Sequence, residues 1–254
     1  MEIRAAGPGQ EPASVAVTMR TPGSDFELAA GFLLTEGLVR GRDEIASIRY
    51  CDLPPEEQRY NVVTVHLARP FDPEVLRRNF FATSSCGVCG KASLDQVEVR
   101  CAPVEPGPIV THHVLAGLPD ALRGTQRVFE QTGGLHAAGL FDVGGTPLAT
   151  REDVGRHNAL DKLIGWALLQ DRLPLADAVL MVSGRVSFEL VQKAAVARIP
   201  VLCAVSAPST LAVEAAERFG MTLVGFLRGD GFNVYAGPQR VAVDAAEGTA
   251  TTRG

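Results

Sequence analysis

The sequence predicts a mixed α/β protein, and three observations carry that prediction. Hydrophobic residues make up 46% of the 254-residue chain, enough to bury a substantial core. Apolar residues switch repeatedly between strand-like runs and helical spacing. The strand-like runs of the last third are almost continuously apolar, as in a parallel sheet covered on both faces. At roughly 100 to 200 residues per domain, we read two: an α+β unit over 1–108 and an α/β unit over 109–240, with 241–254 as a disordered tail. The Pro-Val-Glu-Pro-Gly-Pro stretch at 103–108 marks the junction.

In the first unit, 14–19 is apolar and β-branched, 60–67 reads Tyr-Asn-Val-Val-Thr-Val-His-Leu, and 96–101 alternates Val97 and Val99 with polar neighbours, so each is read as a strand. Between the first two, 25–36 places Leu28, Phe32 and Leu33 on one helical face, behind a cap at Ser24 or Asp25 and before Gly37 as a stop. After the junction come a helix over 118–131, ended by Thr132-Gly133-Gly134, a strand at 136–143, a Gly144-Gly145 turn and a further extended run. The spacing of Leu160, Leu163, Ile164, Ala167 and Leu168 predicts a helix over 154–169. Strand 178–182, helix 186–198, strand 200–205, helix 210–219 and strand 221–227 complete the alternation.

Composition excludes several function classes. No run of about 18 apolar residues occurs, and Met1-Glu2-Ile3-Arg4 lacks a secretory pattern, so a soluble, cytoplasmic protein without a membrane partner is expected. The five cysteines (Cys51, Cys86, Cys89, Cys101 and Cys203) argue for reduced thiols rather than a disulfide framework. A net charge of −5 with no Lys/Arg run lacks the footprint of a nucleic-acid binder.

Open parallel sheets bind ligands beyond the C-terminal ends of their strands. Here those ends run into Ser183-Gly184-Arg185, Ser206-Ala207-Pro208-Ser209 and Arg228-Gly229-Asp230-Gly231, which should share one rim. Glycine permits close backbone approach, serine and helix N-termini supply donors, and arginine adds a fork of N–H groups, a combination suited to phosphate. Turn formation and capping account for Gly and Ser alone; Arg185 and Arg228 favour an anion site. A second dense stretch runs from Arg151 to Lys162. In it Asp153 reads as an N-cap, Glu152, Asp161 and Lys162 as solvated helix charges, and Arg156, His157 and Asn158 as binding residues in the first helical turn. His136 reads as an ordinary strand histidine.

The pair Cys86-Gly87-Val88-Cys89 sits among small residues and leaves three chemistries open. A structural zinc needs four ligands, which Cys101 and His112 or His113 would complete. A dithiol oxidoreductase needs strand and helix flanks, whereas Thr83-Ser84-Ser85 and Gly90-Lys91-Ala92-Ser93 are loop-like. Sulfur carriage needs an accessible thiolate, which the charge of Lys91 would favour.

Several ordered segments resemble one family: Arg20-Thr21-Pro22-Gly23 with Phe26-Glu27-Leu28, Gly31 to Gly37, Ser85 to Gly90, Thr132-Gly133-Gly134-Leu135-His136, Arg151 to Lys162, Ser183-Gly184-Arg185, and Phe226 to Tyr235. The chain is similar to the FdhD family of formate dehydrogenase accessory sulfurtransferases. That resemblance implies sulfur taken as a persulfide from a cysteine desulfurase and passed to the molybdenum bis(molybdopterin guanine dinucleotide) cofactor for formate dehydrogenase. It implies the persulfide on Cys86, with Cys89 in relay or release. It implies cofactor binding at Phe226, Leu227, Arg228, Gly229, Asp230 and Gly231, beside Ser183, Gly184, Arg185, Arg156 and His157, in a homodimer.

The resemblance further implies a cytidine-deaminase-like three-layer α/β/α main domain. Deaminase zinc sites use H-x-E and P-C-x-x-C, but the comparable helix starts here read His157-Asn158-Ala159 and Ser183-Gly184-Arg185-Val186-Ser187. A variant of that fold with no protein-ligated metal is therefore expected, and deamination is disfavoured. Relative to the family, a few leading residues are expected to be missing before Met1.

Overall fold

The computed structural model describes residues 1–51, 54, 59–72, 103–104, 106–229 and 231–242. The expected strand at 96–101, Cys86, Cys89, Cys101 and Asp230 lie outside the described residues, as do 243–254. The described segments form two principal sheets. The first has the order β2-β1-β4-β3, from β1 (Glu2–Ala6), β2 (Ala13–Val17), β3 (Ile45–Tyr50) and β4 (Val62–Leu67). Strands β1 and β3 carry no clear strand signal in the sequence. The first is a five-residue interior strand interrupted by charge, and the second is an edge strand that buries only Ile45.

The second sheet has the order β11-β10-β9-β8-β6-β7, from β6 (His136–Phe141), β7 (Pro147–Asp153), β8 (Val179–Val182), β9 (Val201–Ala204), β10 (Thr222–Arg228) and β11 (Gly231–Ala236). Its centre, β8-β9-β10, is parallel as expected, but β6, β7 and β11 pair antiparallel to their neighbours. The period-2 alternation of strand side chains divides the apolar residues between two faces. Ala138, Leu140, Leu180, Val182, Leu202, Ala204 and Leu223 pack with α4 (Arg156–Leu169), α5 (Phe188–Val196) and α6 (Thr210–Arg218). Phe141, Val179, Met181, Val201, Cys203 and Val224 pack instead with Leu115, Leu118 and Leu122 of α2 (His112–Arg123). Helices on both faces explain why these strands read as unbroken apolar runs.

The helix expected over 118–131 is two helices. Thr111 caps an earlier start by accepting from the Val114 N–H at 3.4 Å, and α2 ends at Gly124. A shorter α3 (Arg127–Thr132) follows and stops at Gly133, whose φ is 67°. Val241 and Ala242, read as the start of a disordered tail, instead form β12, paired parallel with β5 (Val110–Thr111).

Helix α1 (Asp25–Thr35) joins the first sheet to the second. It crosses α4 with backbone against backbone: a Cβ on Gly31 would collide with the Asp161 carbonyl, and one on Gly165 with the Glu27 carbonyl. Ser24 occupies the N-cap position of α1, but with a left-handed φ of 54° and no side-chain cap, so it does not act as expected. Beside the crossing, Asp161 and Lys193 form a buried ion pair at 2.9 Å, with Thr35 donating to Asp161 at 2.8 Å and Glu36 3.2 Å from the ammonium. Burial alone would discharge Lys193; the charges of Asp161 and Glu36 outweigh it and hold the ammonium above its ordinary pKa. Asp161 and Lys162, expected in solvent, are 1% and 2% exposed. Their polarity on the helix is satisfied by partners remote in sequence.

Candidate functional site

Strand direction assembles one rim. Parallel β8, β9 and β10 end there, and antiparallel pairing brings the start of β6 and the end of β7 to the same edge. The loops after the strands are hydrogen-bonded side by side: Val186 N–H donates to Ala207 O at 3.2 Å, Phe226 N–H to Ser206 O at 3.2 Å, and Arg228 Nε–H to Val205 O at 3.4 Å. Ser183, Gly184, Arg185, Phe226, Arg228, Gly229 and Gly231 all lie on or beside this rim, in the order the sequence predicts. Leu227 departs from that expectation. It is fully buried in the α2-side core and presents no surface to a ligand.

The local geometry of 226–231 has two causes. A Cβ on Gly225 would come within 2.9 Å of Pro208 and 3.0 Å of Tyr235, so only glycine lets β10 pass this close. The β10–β11 register then shifts between Gly225 and Arg228, leaving Phe226 in a left-handed conformation (φ 54°) and 45% exposed. A bulky residue in that region is a strained outlier, of the kind that concentrates at functional sites.

The segment from Arg151 to Lys162 divides into a scaffold and a site. Asp153 is fully buried, pairs with Lys162 at 2.7 Å, and accepts from Thr21 N–H, Gly155 N–H and Asn158 Nδ2, each at 3.0 Å. It is a hub that docks the Arg20-Thr21-Pro22-Gly23 turn, 132 residues away, and is not the N-cap, which is Gly155. Asn158 donates to Met19 O at 2.7 Å, so it belongs to that scaffold and not to a ligand. Arg151 grips Glu27 in a bidentate pair at 2.5 and 2.7 Å, and Glu152 accepts from Val128 and Phe129 N–H at the start of α3. Arg156 and His157 are left facing the rim.

Arg156 has a buried Nε with no hydrogen-bond partner and lies beside Gly184, where a Cβ would stand 3.9 Å from Arg156 Cδ and 3.2 Å from His136 Nδ1. His136, read as an ordinary strand histidine, thus sits on the site wall. Its signal in the sequence is its place at the end of Thr132-Gly133-Gly134-Leu135-His136, one of the segments that carry the family resemblance. Ser183 Oγ accepts from Ala137 N–H at 2.8 Å, which closes the strand and leaves the hydroxyl hydrogen available. Ser209 caps α6 through Ala212 N–H at 3.2 Å, whereas no side chain caps α4 or α5. Both uncapped N-termini therefore face the rim with their partial positive charge.

His157 Nε2 lies 3.2 Å from Ser187 Oγ and 4.0 Å from Glu189. Both partners meet the same ring nitrogen, so the group lacks the relay geometry of a hydrolytic triad. Burial pushes Glu189 up, but hydrogen bonds from Ser187 and its own N–H, with His157 and Arg156 nearby, bring its pKa below the ordinary value. Burial, followed by the charges of Arg156 and Lys193, pushes His157 down to about 4. Because this group binds fewer protons folded than unfolded, its stabilisation is complete above about pH 6.5 and is lost as pH falls through about 4. Thermal melts of the wild type across that window should therefore decline more steeply than those of His157→Gln. Equal slopes would refute the assignment.

Above the rim, on the α2 side, Pro119, Leu122, Arg123, Gln126, Phe129, Gly133, Gly134, Leu135, His136, Ser183 and Val205 enclose a cavity of about 470 Å³. That is the size range of small-molecule sites. Among the described residues no group of three or more His, Cys, Asp or Glu is placed to hold a metal, and no helix is long and apolar enough to cross a membrane.

A model of the FdhD/NarQ family matches residues 10–242. The chain belongs to that family. A sulfur carrier protein FdhD of Mycolicibacterium paratuberculosis is 56% identical over 247 residues, covering 95% of this chain and 89% of the relative. Another, from Streptomyces coelicolor, is 56% identical over 241 residues, covering 92% and 86%. The crystal structure of a candidate formate dehydrogenase accessory protein from Desulfotalea psychrophila superposes with a TM-score of 0.71 at 25% identity, over 95% of this chain and 89% of that one. In this FdhD/NarQ member the rim, the cavity and the two helix starts are contiguous, while the Asp153 hub ties the turn after β2 to the start of α4.

Proposed function

We propose that this protein is a sulfurtransferase that carries sulfur from a cysteine desulfurase to the molybdenum bis(molybdopterin guanine dinucleotide) cofactor of a formate dehydrogenase, in the cytoplasm. The observation that carries the reading is family membership across 10–242 together with the Cys86/Cys89 pair. The Cys86 thiolate attacks the outer sulfur of the donor persulfide; a bond forms from Cys86 Sγ to that sulfur, the donor S–S bond breaks, and the donor cysteine leaves as thiolate. No external oxidant is needed. For release, Cys89 attacks Cys86 Sγ and expels hydrosulfide toward the acceptor, and a dithiol reductant then reopens the Cys86–Cys89 disulfide.

The residues on the rim fit a dinucleotide substrate. Arg156 keeps an orphaned buried Nε, Gly184 leaves a cradle that a side chain would fill, and Arg185 and Arg228 add charge beside two uncapped helix starts. Arg156, His157, Ser183, Gly184, Arg185, Phe226, Arg228, Gly229, Asp230 and Gly231 would hold the pyrophosphate and its neighbours. The architecture agrees with a cytidine-deaminase-like domain, in which the starts of α4 and α5 would carry the metal ligands; His157 and Ser187 stand there instead. A homodimer would offer one such rim to each dinucleotide of the acceptor.

Intact-protein mass spectrometry after incubation with cysteine desulfurase and cysteine tests the reading. One reducible sulfur, mapped to Cys86, is expected. Stoichiometric zinc with no sulfur gain would replace it with a structural-metal role for the pair.

A further inference from the structure

His157 is held at one ring nitrogen and open at the other. Ser187 spends its hydroxyl hydrogen on Glu189, so its oxygen accepts from His157 Nε2–H at 3.2 Å, and that chain places the proton of the neutral ring on Nε2. Among the described residues His157 Nδ1 has no hydrogen-bond partner, and it is not sealed from solvent as the orphaned Nε of the adjacent Arg156 is. Nδ1 is therefore the atom open to a proton. Four charges face the ring: Arg156 from its own helix, Glu189 and Lys193 from α5, and Glu36 from the end of α1. Burial first, then Arg156 and Lys193, outweigh the two carboxylates and push the ring down to about 4, so it is neutral at pH 7.

An arriving anion reverses that balance. Phosphate groups along the rim would cancel the charge of Arg156, the larger of the two cationic effects, and add negative charge beside Nδ1 at the uncapped start of α4. We propose that the rim binds its anionic substrate with uptake of one proton, taken by His157 at Nδ1, so that the imidazolium donates to the substrate's pyrophosphate while Ser187 and Glu189 hold the opposite nitrogen. The proposal rests on the dinucleotide reading above and adds a regulation of that site. Because the complex binds more protons than the free protein, affinity rises as pH falls toward the range where the free ring titrates, and each release returns the proton to solvent.

Titration calorimetry of the full chain with diguanosine pyrophosphate tests the linkage, because a pyrophosphate diester, unlike a phosphate monoester, has no group that titrates between about pH 5 and 8. Heats measured in two buffers of different ionisation enthalpy count the protons exchanged. The wild type is expected to take up about half a proton or more per ligand at about pH 5.5 and almost none at about pH 7.5, and to bind about two- to tenfold more tightly at the lower pH. In His157→Gln, binding should proceed without proton uptake and without that pH dependence. Glu189→Gln, which removes a charge favouring the imidazolium, should take up less than the wild type at the lower pH. Melting curves at both pH values check that the variants fold, and a merely structural role of His157 would leave proton uptake unmoved. Wild-type binding without uptake, uptake that persists in folded His157→Gln, or equal uptake by Glu189→Gln would overturn the proposal. Absence of binding at both pH values would overturn it together with the dinucleotide rim, and sulfur loading of Cys86, measured on the same preparations, shows whether the carrier reading stands.

Discussion

Replacing Cys86 by alanine is expected to reduce sulfur acquisition from a cysteine desulfurase to background and to leave the melting temperature unchanged. On the proposed reading, the substitution removes the atom that bonds the transferred sulfur. Cys89→Ala should still load one sulfur on Cys86 but hold it, because hydrosulfide can no longer be expelled by disulfide formation. Intact-mass measurement separates the two variants, and formate dehydrogenase activity in a deletion strain reports the consequence. Restoration of that activity by Cys86→Ala would end the assignment of the persulfide to this residue.

The largest effect on stability is expected at Lys193. Its ammonium lies 2.9 Å from Asp161, 2.8 Å from Thr35 and 3.2 Å from Glu36, in the buried space between α1, α4 and α5. Lys193→Ala leaves the Asp161 carboxylate buried without its counter-ion, at a cost of about 3–5 kcal/mol. The double variant Asp161→Leu/Lys193→Met removes both charges at similar volume and should recover most of that loss, since a buried ion pair contributes little net stability relative to well-packed apolar groups. Urea unfolding with a common slope would measure both. A loss under about 1 kcal/mol for Lys193→Ala would mean that the carboxylate is solvated or protonated without penalty.

Much of the rim is legible in the order of residues alone. Continuous apolar runs signal strands buried on both faces, and strands of that kind direct their following loops to one edge, which places Ser183-Gly184-Arg185 together with the turn around Gly229. Leu227 escapes the same reasoning. Segment-level patterns locate a loop but not the pleat, and alternation turns Leu227 inward between exposed Phe226 and Arg228. The start of α4 shows a sharper limit. Asp153, Arg156, Asn158 and Lys162 look alike as polar residues at a helix start, yet Asp153, Asn158 and Lys162 serve the Thr21 turn. Of the residues at this helix start, only Arg156 and His157 reach the rim.

Gln126 illustrates the same division. Nothing in Gly124-Thr125-Gln126-Arg127 marks a buried amide, because its burial arises from α2, α3 and the ends of β6 and β8 closing around it. Most element types, though not strands β1, β3 and β12, the reduced state expected of the thiols and the loops that gather at the sheet edge follow from composition, local periodicity and chain direction, so residue order suffices for them. Which charges are buried and paired, and which donors remain unsatisfied, is settled only in the assembled fold, because the energy of a polar group depends on partners brought from more than a hundred residues away.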